Sequence, residues 1–216
     1  MIAFAEQRRR MVEHDLAKRG ILDSQVLEAM LAVPRERFVP PQLAEFAYDD
    51  SPLPIAEGQT ISQPFIVALM TEALELEGGE RVLEIGTGSG YAAAVLSRIV
   101  AQVYSVERHG PLAREARTRL QDVGYDNVRV LHADGTEGWA EHGPYDAIIV
   151  AAGGPEVPQP LLDQLAPHGR LVIPVGETTR EQTLLRVRND PVHGFVQEDL
   201  GTVRFVPLIG AKGWVA

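Results

Sequence analysis

From Arg81 onward the chain alternates short apolar runs with longer amphipathic stretches. The apolar runs are rich in valine, isoleucine and leucine and predict strands, and the stretches between them have helical spacing. The predicted strands are Val82–Ile85, Val103–Val106, Val128–His132, Ala147–Val150 and Leu171–Pro174, and the predicted helices are Tyr91–Ile99, Pro111–Val123 and Pro158–Leu165. Strands that are apolar on both faces and alternate with helices predict an α/β fold with a mostly parallel, doubly wound sheet.

The two ends of the chain have different patterns. The N-terminal part predicts helices at Glu6–Arg19, at Ser24–Ala32 with Asp23 or Ser24 as the cap, and at Phe65–Leu74 with Pro64 in the first turn. The C-terminal part predicts an antiparallel sheet edge, with strands at Thr183–Val187, Phe195–Gln197 and Thr202–Val206 and a turn at Asn189-Asp190-Pro191. We therefore expect one domain over residues 1–216, made of a helical, substrate-side extension (1–75), a cofactor-binding core (76–180) and C-terminal strands (181–216).

The composition is that of an ordinary globular protein. The chain has 216 residues, of which 45% are hydrophobic, and a formal net charge of −10. This acidic balance counts against nucleic acid as a substrate, because proteins that bind it rely on a basic surface. The absence of cysteine excludes disulfides, thiolate metal sites and a cysteine nucleophile. The six histidines are scattered along the chain, and we expect no metal site.

The sequence shows no signal for a membrane. No apolar run approaches the length of a transmembrane helix, and charged residues interrupt the first 20 positions, which excludes a signal-peptide core. We therefore expect a cytoplasmic protein without membrane contact. No heptad pattern or long exposed apolar helix face stands out, so we expect a monomer.

The stretch Glu84-Ile85-Gly86-Thr87-Gly88-Ser89-Gly90 carries the clearest chemical signal. Three glycines directly after a strand let the backbone turn sharply and approach a ligand closely, and the helix that follows offers its N-terminus to that ligand. About 20 residues later the next strand ends at Glu107, where a carboxylate suits the two hydroxyls of a ribose. A surface carboxylate is the alternative for Glu107, but the combination predicts an adenosine-containing ligand.

The glycine spacing narrows the choice of ligand. A dinucleotide fingerprint needs a final glycine where this chain has Tyr91, which disfavours a nicotinamide-dependent reductase. The E-x-G-x-G-x-G pattern resembles motif I of the S-adenosylmethionine-dependent methyltransferases. That resemblance implies cofactor contacts from Glu84, Gly86, Thr87, Gly88, Ser89, Gly90, Glu107, Arg108, Asp134 and Gly135.

Two of these acidic residues have more than one interpretation. Glu84 is expected to face the ammonium end of the cofactor and also to orient the glycine loop through backbone hydrogen bonds. In methyltransferases of this type an acidic residue at the position of Asp134 contacts the adenine amino group. An Asp-Gly turn is the simpler alternative explanation for Asp134-Gly135.

The expected methyl acceptor is a group that is already nucleophilic. The loop Ala151-Ala152-Gly153-Gly154-Pro155 lacks the Asn/Asp-Pro-Pro-aromatic motif that is common in amino-group methyltransferases acting on nucleic acid. Ser62, in Thr60-Ile61-Ser62-Gln63-Pro64, lies just before a helix whose early N–H groups are expected to be free, an arrangement that attracts a carboxylate. Ser62 is therefore a candidate carboxylate-holding residue, and from local sequence alone it is equally well explained as the helix cap.

The chain resembles the protein-L-isoaspartate O-methyltransferase family over nearly its whole length. The matching segments are Gln59–Pro64, Val82–Tyr91, Ser105–Arg108, Asp134-Gly135, Tyr145–Val150, Leu171–Gly176 and Val203–Leu208. The resemblance implies a class I, Rossmann-like methyltransferase that methylates the α-carboxylate of L-isoaspartyl residues in proteins and peptides and leaves S-adenosylhomocysteine. It also implies Ser62 as the active-site residue and a substrate site formed by Thr60, Ile61, Ser62, Gln63, Val206 and Pro207.

Other functions stay open at this level. A methyltransferase for another acceptor is one alternative. A hydroxyl acceptor usually needs a general base or a metal ion, and the sequence shows no cluster of residues that would supply either. A non-catalytic module that binds S-adenosylmethionine is the other. Turnover with an isoaspartyl peptide separates both alternatives from the predicted enzyme.

Overall fold

The computed structural model describes residues 3–215, which form a seven-stranded sheet, a two-stranded ribbon and six α-helices. The helices are α1 (Phe4–Arg10), α2 (Ser24–Ala32), α3 (Pro64–Glu72), α4 (Tyr91–Ser97), α5 (Gly110–Val123) and α6 (Gln159–Asp163). The strands are β1 (Leu53–Pro54), β2 (Thr60–Ile61), β3 (Arg81–Ile85), β4 (Gln102–Glu107), β5 (Val128–His132), β6 (Tyr145–Val150), β7 (Leu165–Val175), β8 (Gln182–Asp190) and β9 (Gly194–Val203). Within the described range, no helix combines the length and the apolar character needed to cross a bilayer.

The large sheet is doubly wound, which confirms the predicted fold class. Its strands lie in the order β5-β4-β3-β6-β7-β8-β9. The first five are parallel, and β8 and β9 form an antiparallel edge. The chain runs outward from β3 to β5 and then returns to β6 on the other side of β3. In open α/β sheets, ligands bind beyond the carboxyl ends of the strands at such a reversal.

Both faces of the sheet are buried, because successive side chains of a strand point to opposite faces. Val82 and Val103 point to one face and join a single hydrophobic cluster with α4 and the N-terminal helices. Leu83 and Ile148 point to the other face and pack in a second cluster with Leu161 of α6. The N-terminal helices therefore share one core with the sheet.

The predicted helix Glu6–Arg19 is helical but is not a uniform α-helix. α1 ends at Arg10, and the chain continues as a π-helix over Met11–Leu16 and a final 3-10 turn. The π-helix closes i→i+5 turns, so the buried side chains of Met11 and Leu16, five positions apart, come to one face.

The predicted helix Pro158–Leu165 is shorter in the structure. α6 covers only Gln159–Asp163, and Leu165 already begins β7, six residues before the predicted strand start at Leu171. Leu165 pairs with Tyr145 across an irregularity in the ladder. This long-range pairing ends the helix, and no local signal marks it.

The predicted strands Phe195–Gln197 and Thr202–Val206 are one strand, β9, and residues 204–206 lie outside the sheet. The register shifts between Thr183 and Leu185 of β8, where extra residues of β9 are accommodated. Such a bulge lets one strand absorb residues that do not fit its ladder. The polar residues between the two predicted strands, 198–201, therefore lie in a bulged part of β9 and not in a loop.

Candidate active site

A narrow cleft lies beyond the carboxyl ends of β3, β4 and β6. Its volume is about 130 Å³, and its walls come from the loops after these strands, from β2 and the residue after it, and from residues 206–209. The predicted cofactor residues that line it are Gly86, Thr87, Gly88, Ser89, Glu107, Arg108 and Gly135, whereas Glu84, Gly90 and Asp134 do not. Across residues 3–215, no three His, Cys, Asp or Glu side chains are grouped so as to hold a metal ion.

The glycine loop has the backbone conformation that favours glycine. Gly86, Gly88 and Gly90 have φ angles of 93°, 52° and 89°, which most other residues adopt only with strain. A Cβ added to Gly86 would only touch the Cβ of Ala151, at 3.5 Å, so glycine is favoured here by the backbone angle and not by lack of space. The glycines therefore let the chain turn sharply from β3 into α4 at the cleft.

Glu107 ends β4 at the wall of the cleft and is only 4% exposed. One carboxylate oxygen accepts a hydrogen bond from the N–H of Gly88 at 2.9 Å, and the other accepts one from the N–H of His109 at 2.9 Å. Each oxygen keeps further acceptor capacity. Glu107 therefore keeps acceptor capacity at the cleft, and its contact with a ribose stays a prediction.

Glu84 lies behind the glycine loop. Its side chain is 1% exposed, and one oxygen accepts a hydrogen bond from Ser105 Oγ, which lies 2.5 Å from Thr87 Oγ1. The other oxygen has no partner among the described residues. Burial raises the pKa of the Glu84 carboxyl to about 8. The side chain is thus linked to the loop through two hydroxyl groups and not through the backbone hydrogen bonds expected for it, and its contact with the cofactor stays a prediction.

Asp134 directs its carboxylate towards the protein chain. One oxygen accepts hydrogen bonds from the N–H and the hydroxyl of Thr136 at 2.9 and 2.7 Å, and the other accepts one from the N–H of Ala211 at 2.7 Å. Asp134 thus caps a 3-10 turn, as the simpler interpretation of Asp134-Gly135 predicts. Gly135 lines the cleft, and the contact of Asp134 with the adenine amino group stays a prediction.

A wider groove of about 1,040 Å³ adjoins the cleft, between the start of α3 and the segment around the end of β9. The cleft and the groove share Thr60, Ser62, Ala151, Val206 and Pro207. Of the two remaining residues of the predicted substrate site, Ile61 lines the cleft and Gln63 lines the groove. The structure therefore brings the whole predicted substrate site to the junction of the two cavities.

Ser62 lies at this junction without capping α3. The N-cap position is Gln63, and its side chain makes no capping hydrogen bond. The cap is Asp50, which accepts the N–H of Phe65 at 2.9 Å and the side-chain amide of Gln63 at 3.2 Å, and which pairs with Arg19. The cap interpretation of Ser62 is wrong. The expectation of a free helix end that attracts the substrate is also wrong, because the Asp50 carboxylate already occupies it.

Neither Arg35 nor Asp50 is predicted from the sequence to be part of the site. Arg35 is fully buried, and its Nη2 donates to the carbonyl oxygen of Ser62 at 2.8 Å. The sequence carries no signal for this role, because Arg35 begins the charged run Arg35-Glu36-Arg37, a pattern typical of an exposed turn.

The backbone that follows β9 pairs with the loop that follows β6. The N–H of Gly153 donates to the carbonyl of Val206 at 2.8 Å, and the N–H of Leu208 donates to the carbonyl of Gly153 at 2.8 Å. The buried side chain of Gln182 accepts the N–H of Phe205 at 2.8 Å. This segment is therefore a fixed wall of both cavities, although it lies outside the sheet.

Comparison with known proteins gives one consistent family. The model of the protein-L-isoaspartate(D-aspartate) O-methyltransferase (PCMT) family matches residues 6–213. Protein-L-isoaspartate O-methyltransferase 2 of Pelobacter propionicus is 62% identical over 204 residues, which are 94% of this chain and 91% of that protein. A solved protein-L-isoaspartate O-methyltransferase matches 95% of this chain and 67% of its own with a TM-score of 0.85 and 32% identity. A Plasmodium falciparum protein assigned to the same family, in complex with S-adenosyl-L-homocysteine, matches 94% of this chain and 98% of its own with a TM-score of 0.80 and 28% identity.

Proposed function

This chain belongs to the protein-L-isoaspartate(D-aspartate) O-methyltransferase family, and we propose that it carries out the family's reaction where the narrow cleft meets the wider groove. The enzyme transfers the methyl group of S-adenosylmethionine to the free α-carboxylate of L-isoaspartyl residues in damaged proteins and peptides, and S-adenosylhomocysteine is the product. The methyl ester then closes to a succinimide, whose hydrolysis returns some normal aspartate.

The observation that carries the proposed site is that Ser62 lines both cavities. The cleft fits the cofactor, because a close-approach glycine loop and the acceptor oxygens of Glu107 stand at its wall. The groove fits an extended peptide, because it is wide and is walled by the end of β9 and the irregular chain that follows it, residues 202–207. A carboxylate that enters from the groove meets the cleft at Ser62.

The proposed role of Ser62 is to position the acceptor. A carboxylate is ionised at neutral pH, so the reaction needs no general base. When bound, S-adenosylmethionine supplies an electrophilic methyl group on its sulfonium sulfur. The Ser62 hydroxyl donates a hydrogen bond that orients the carboxylate for in-line attack, and most of the rate enhancement then comes from geometry.

We further propose how the three parts of the chain divide this work. Residues 1–75 provide the substrate-side wall with Ser62, residues 76–180 hold the cofactor, and residues 181–216 close the groove. We also propose that the protein acts in the cytoplasm as a monomer on proteins and peptides and not on nucleic acid. Light scattering after gel filtration tests the monomer, and a mass of twice the 23.6 kDa of the chain would contradict it.

The direct test of function is methyl transfer to two peptides of one sequence that differ only in an isoaspartyl or a normal aspartyl linkage. We expect base-labile label on the isoaspartyl peptide alone. Label on both peptides would contradict the proposed selectivity. Cofactor binding without label on either peptide would favour another acceptor or a non-catalytic binding module.

The Ser62→Ala variant tests the proposed site. We expect kcat/KM for the isoaspartyl peptide to fall by about 10- to 100-fold, because hydrogen bonds to charged groups contribute about 1.5–3 kcal/mol. The Kd for S-adenosylmethionine should stay unchanged. Ser24→Ala, at an exposed helix start, is the matched control, and wild-type activity in Ser62→Ala would remove Ser62 from the mechanism.

A further inference from the structure

The Arg35 guanidinium lies directly behind the main chain of Ser62. Arg35 is 0% exposed, and besides its contact with the Ser62 carbonyl at 2.8 Å its Nε donates to the carbonyl of Ala47 at 2.7 Å. A guanidinium is planar and holds its donors in a rigid fork. The fork therefore fixes the carbonyl of Ser62 against a segment 15 residues earlier in the chain.

The same guanidinium also contacts the cofactor side of the cleft. Its Cζ lies 4.7 Å from the ring centroid of Tyr91, which begins α4 directly after the glycine loop and lines the cleft. The ring of Phe38 packs edge-on against Tyr91 at 5.7 Å and holds it in place. One buried side chain thus connects the wall that carries Ser62 with the wall that follows the glycine loop.

We propose that Arg35 is a positioning residue for methyl transfer, which fixes Ser62 relative to Tyr91 and so sets the separation between the acceptor carboxylate and the methyl group. This inference rests on the proposed role of Ser62. Transfer between two bound groups depends on their alignment, and a misplacement of about 1 Å can lower the rate by about 100-fold. Arg35 acts through the main chain of Ser62 and need not contact the substrate.

The Arg35→Lys variant keeps the charge but loses the fork. We expect kcat to fall by about tenfold or more, while KM for the isoaspartyl peptide and the Kd for S-adenosylmethionine change little. Arg37→Lys, on the exposed side of the same 3-10 turn, is the matched control. Leu184→Ala, at a fully buried position of β8 in the same core cluster, is the packing control, since it lowers stability and leaves the fork and Phe38 in place. An equal loss of kcat in Leu184→Ala at an equal fall in Tm would assign the effect to packing and overturn the inference.

A double-mutant cycle with Ser62→Ala gives the decisive result. If Arg35 acts through Ser62, Arg35→Lys lowers kcat far less in the Ser62→Ala background than in the wild type. The same fold-loss in both backgrounds, or an unchanged kcat in Arg35→Lys alone, would overturn the inference and leave the role of Ser62 intact. An unchanged kcat in Ser62→Ala alone would overturn the proposed site itself. If Arg35→Lys does not fold, Arg35→Gln, which buries no charge, takes its place in the cycle.

Discussion

At the scale of single residues, two carboxyl groups near the glycine loop have different surroundings and different roles. Glu107 accepts hydrogen bonds from two backbone N–H groups and lines the cleft. Glu84 is buried behind the loop, with a hydroxyl donor on one oxygen and no partner on the other within residues 3–215. Burial disfavours the charged form. Glu107 therefore keeps acceptor capacity at the cleft, and its ribose contact stays a prediction, whereas burial favours the protonated form of the Glu84 carboxyl.

The Glu107→Gln variant tests the ribose contact. The amide keeps one acceptor oxygen but turns an NH₂ group towards a backbone donor, so we expect weaker cofactor binding. Hydrogen bonds to a charged group contribute about 1.5–3 kcal/mol, and the Kd for S-adenosylmethionine should rise by about 10- to 100-fold with little change in peptide KM. Calorimetric titration measures the Kd, with the exposed Glu141→Gln as the control. An unchanged Kd would limit Glu107 to supporting the loop.

Glu84→Gln should change how stability depends on pH. The pKa of Glu84 is raised from 4.5 to about 8 in the folded protein, so between these values the native state retains a proton that the unfolded chain releases. The free energy of unfolding therefore falls as pH rises through this window, by up to about 1.4 kcal/mol per pH unit from this group. Urea unfolding from pH 5 to pH 8 should give a flatter curve for Glu84→Gln. Parallel curves for the variant and the wild type would show that Glu84 does not cause the dependence of stability on pH.

At the scale of elements, Asp50 stabilises the start of α3. Its carboxylate caps the N–H of Phe65, which lies 15 positions later in the chain. Asp50→Ala removes this cap, and we expect the free energy of unfolding to fall by about 1 kcal/mol. We also expect kcat to fall, because Ser62 lies only two positions before the first residue of the helix. Thermal unfolding and initial rates measure the two effects, with the exposed neighbour Asp49→Ala as the control. A loss of stability with full kcat would separate the cap from the active site.

The predictions of secondary structure succeeded where buried positions recur periodically along the sequence. They failed where contacts with distant segments determine the local structure. The central strands were predictable, because their apolar runs are buried on both faces of the sheet. The π-helix at Met11–Leu16 and the bulge in β9 were not, because each follows from packing against distant segments. The chain segment that connects β5 to β6 packs Trp139 and His142 on Tyr104 of β4. The ring of Tyr104 stacks on His142 at 4.4 Å and meets Trp139 edge-on at 5.6 Å. The sequence of this segment has no periodic pattern that would predict the packing.

At the scale of the whole molecule, the charge of the groove differs from that of the protein. The net charge is −10, yet the groove is lined by Arg19, Arg180 and Arg204 and by one acidic residue, Glu181. Charges are screened over about 10 Å at 0.1 M salt. The local arginines therefore influence a bound peptide more than the distant acidic surface does.

Isoaspartyl peptides with acidic flanking residues should therefore have a lower KM than peptides with lysine at the same positions. We expect the difference to shrink as salt rises, because exposed charges are screened. Initial rates at 0.05 and 0.5 M salt measure it. Arg180→Ser with Arg204→Ser should remove the preference while leaving kcat near the wild-type value. A preference that survives in this double variant would locate the selectivity elsewhere.

The sequence by itself determined the doubly wound sheet, the glycine loop, the acceptor at Glu107 and the family, because these features are encoded in patterns a few residues long. Through the resemblance it also predicted a substrate site at Ser62 and its neighbours. Only the tertiary structure decided which groups support that site. Arg35 meets the carbonyl of Ser62 across 27 positions and Ser105 meets Glu84 across 21. The partners of a buried polar group are set by how distant segments pack, and no local pattern records that packing.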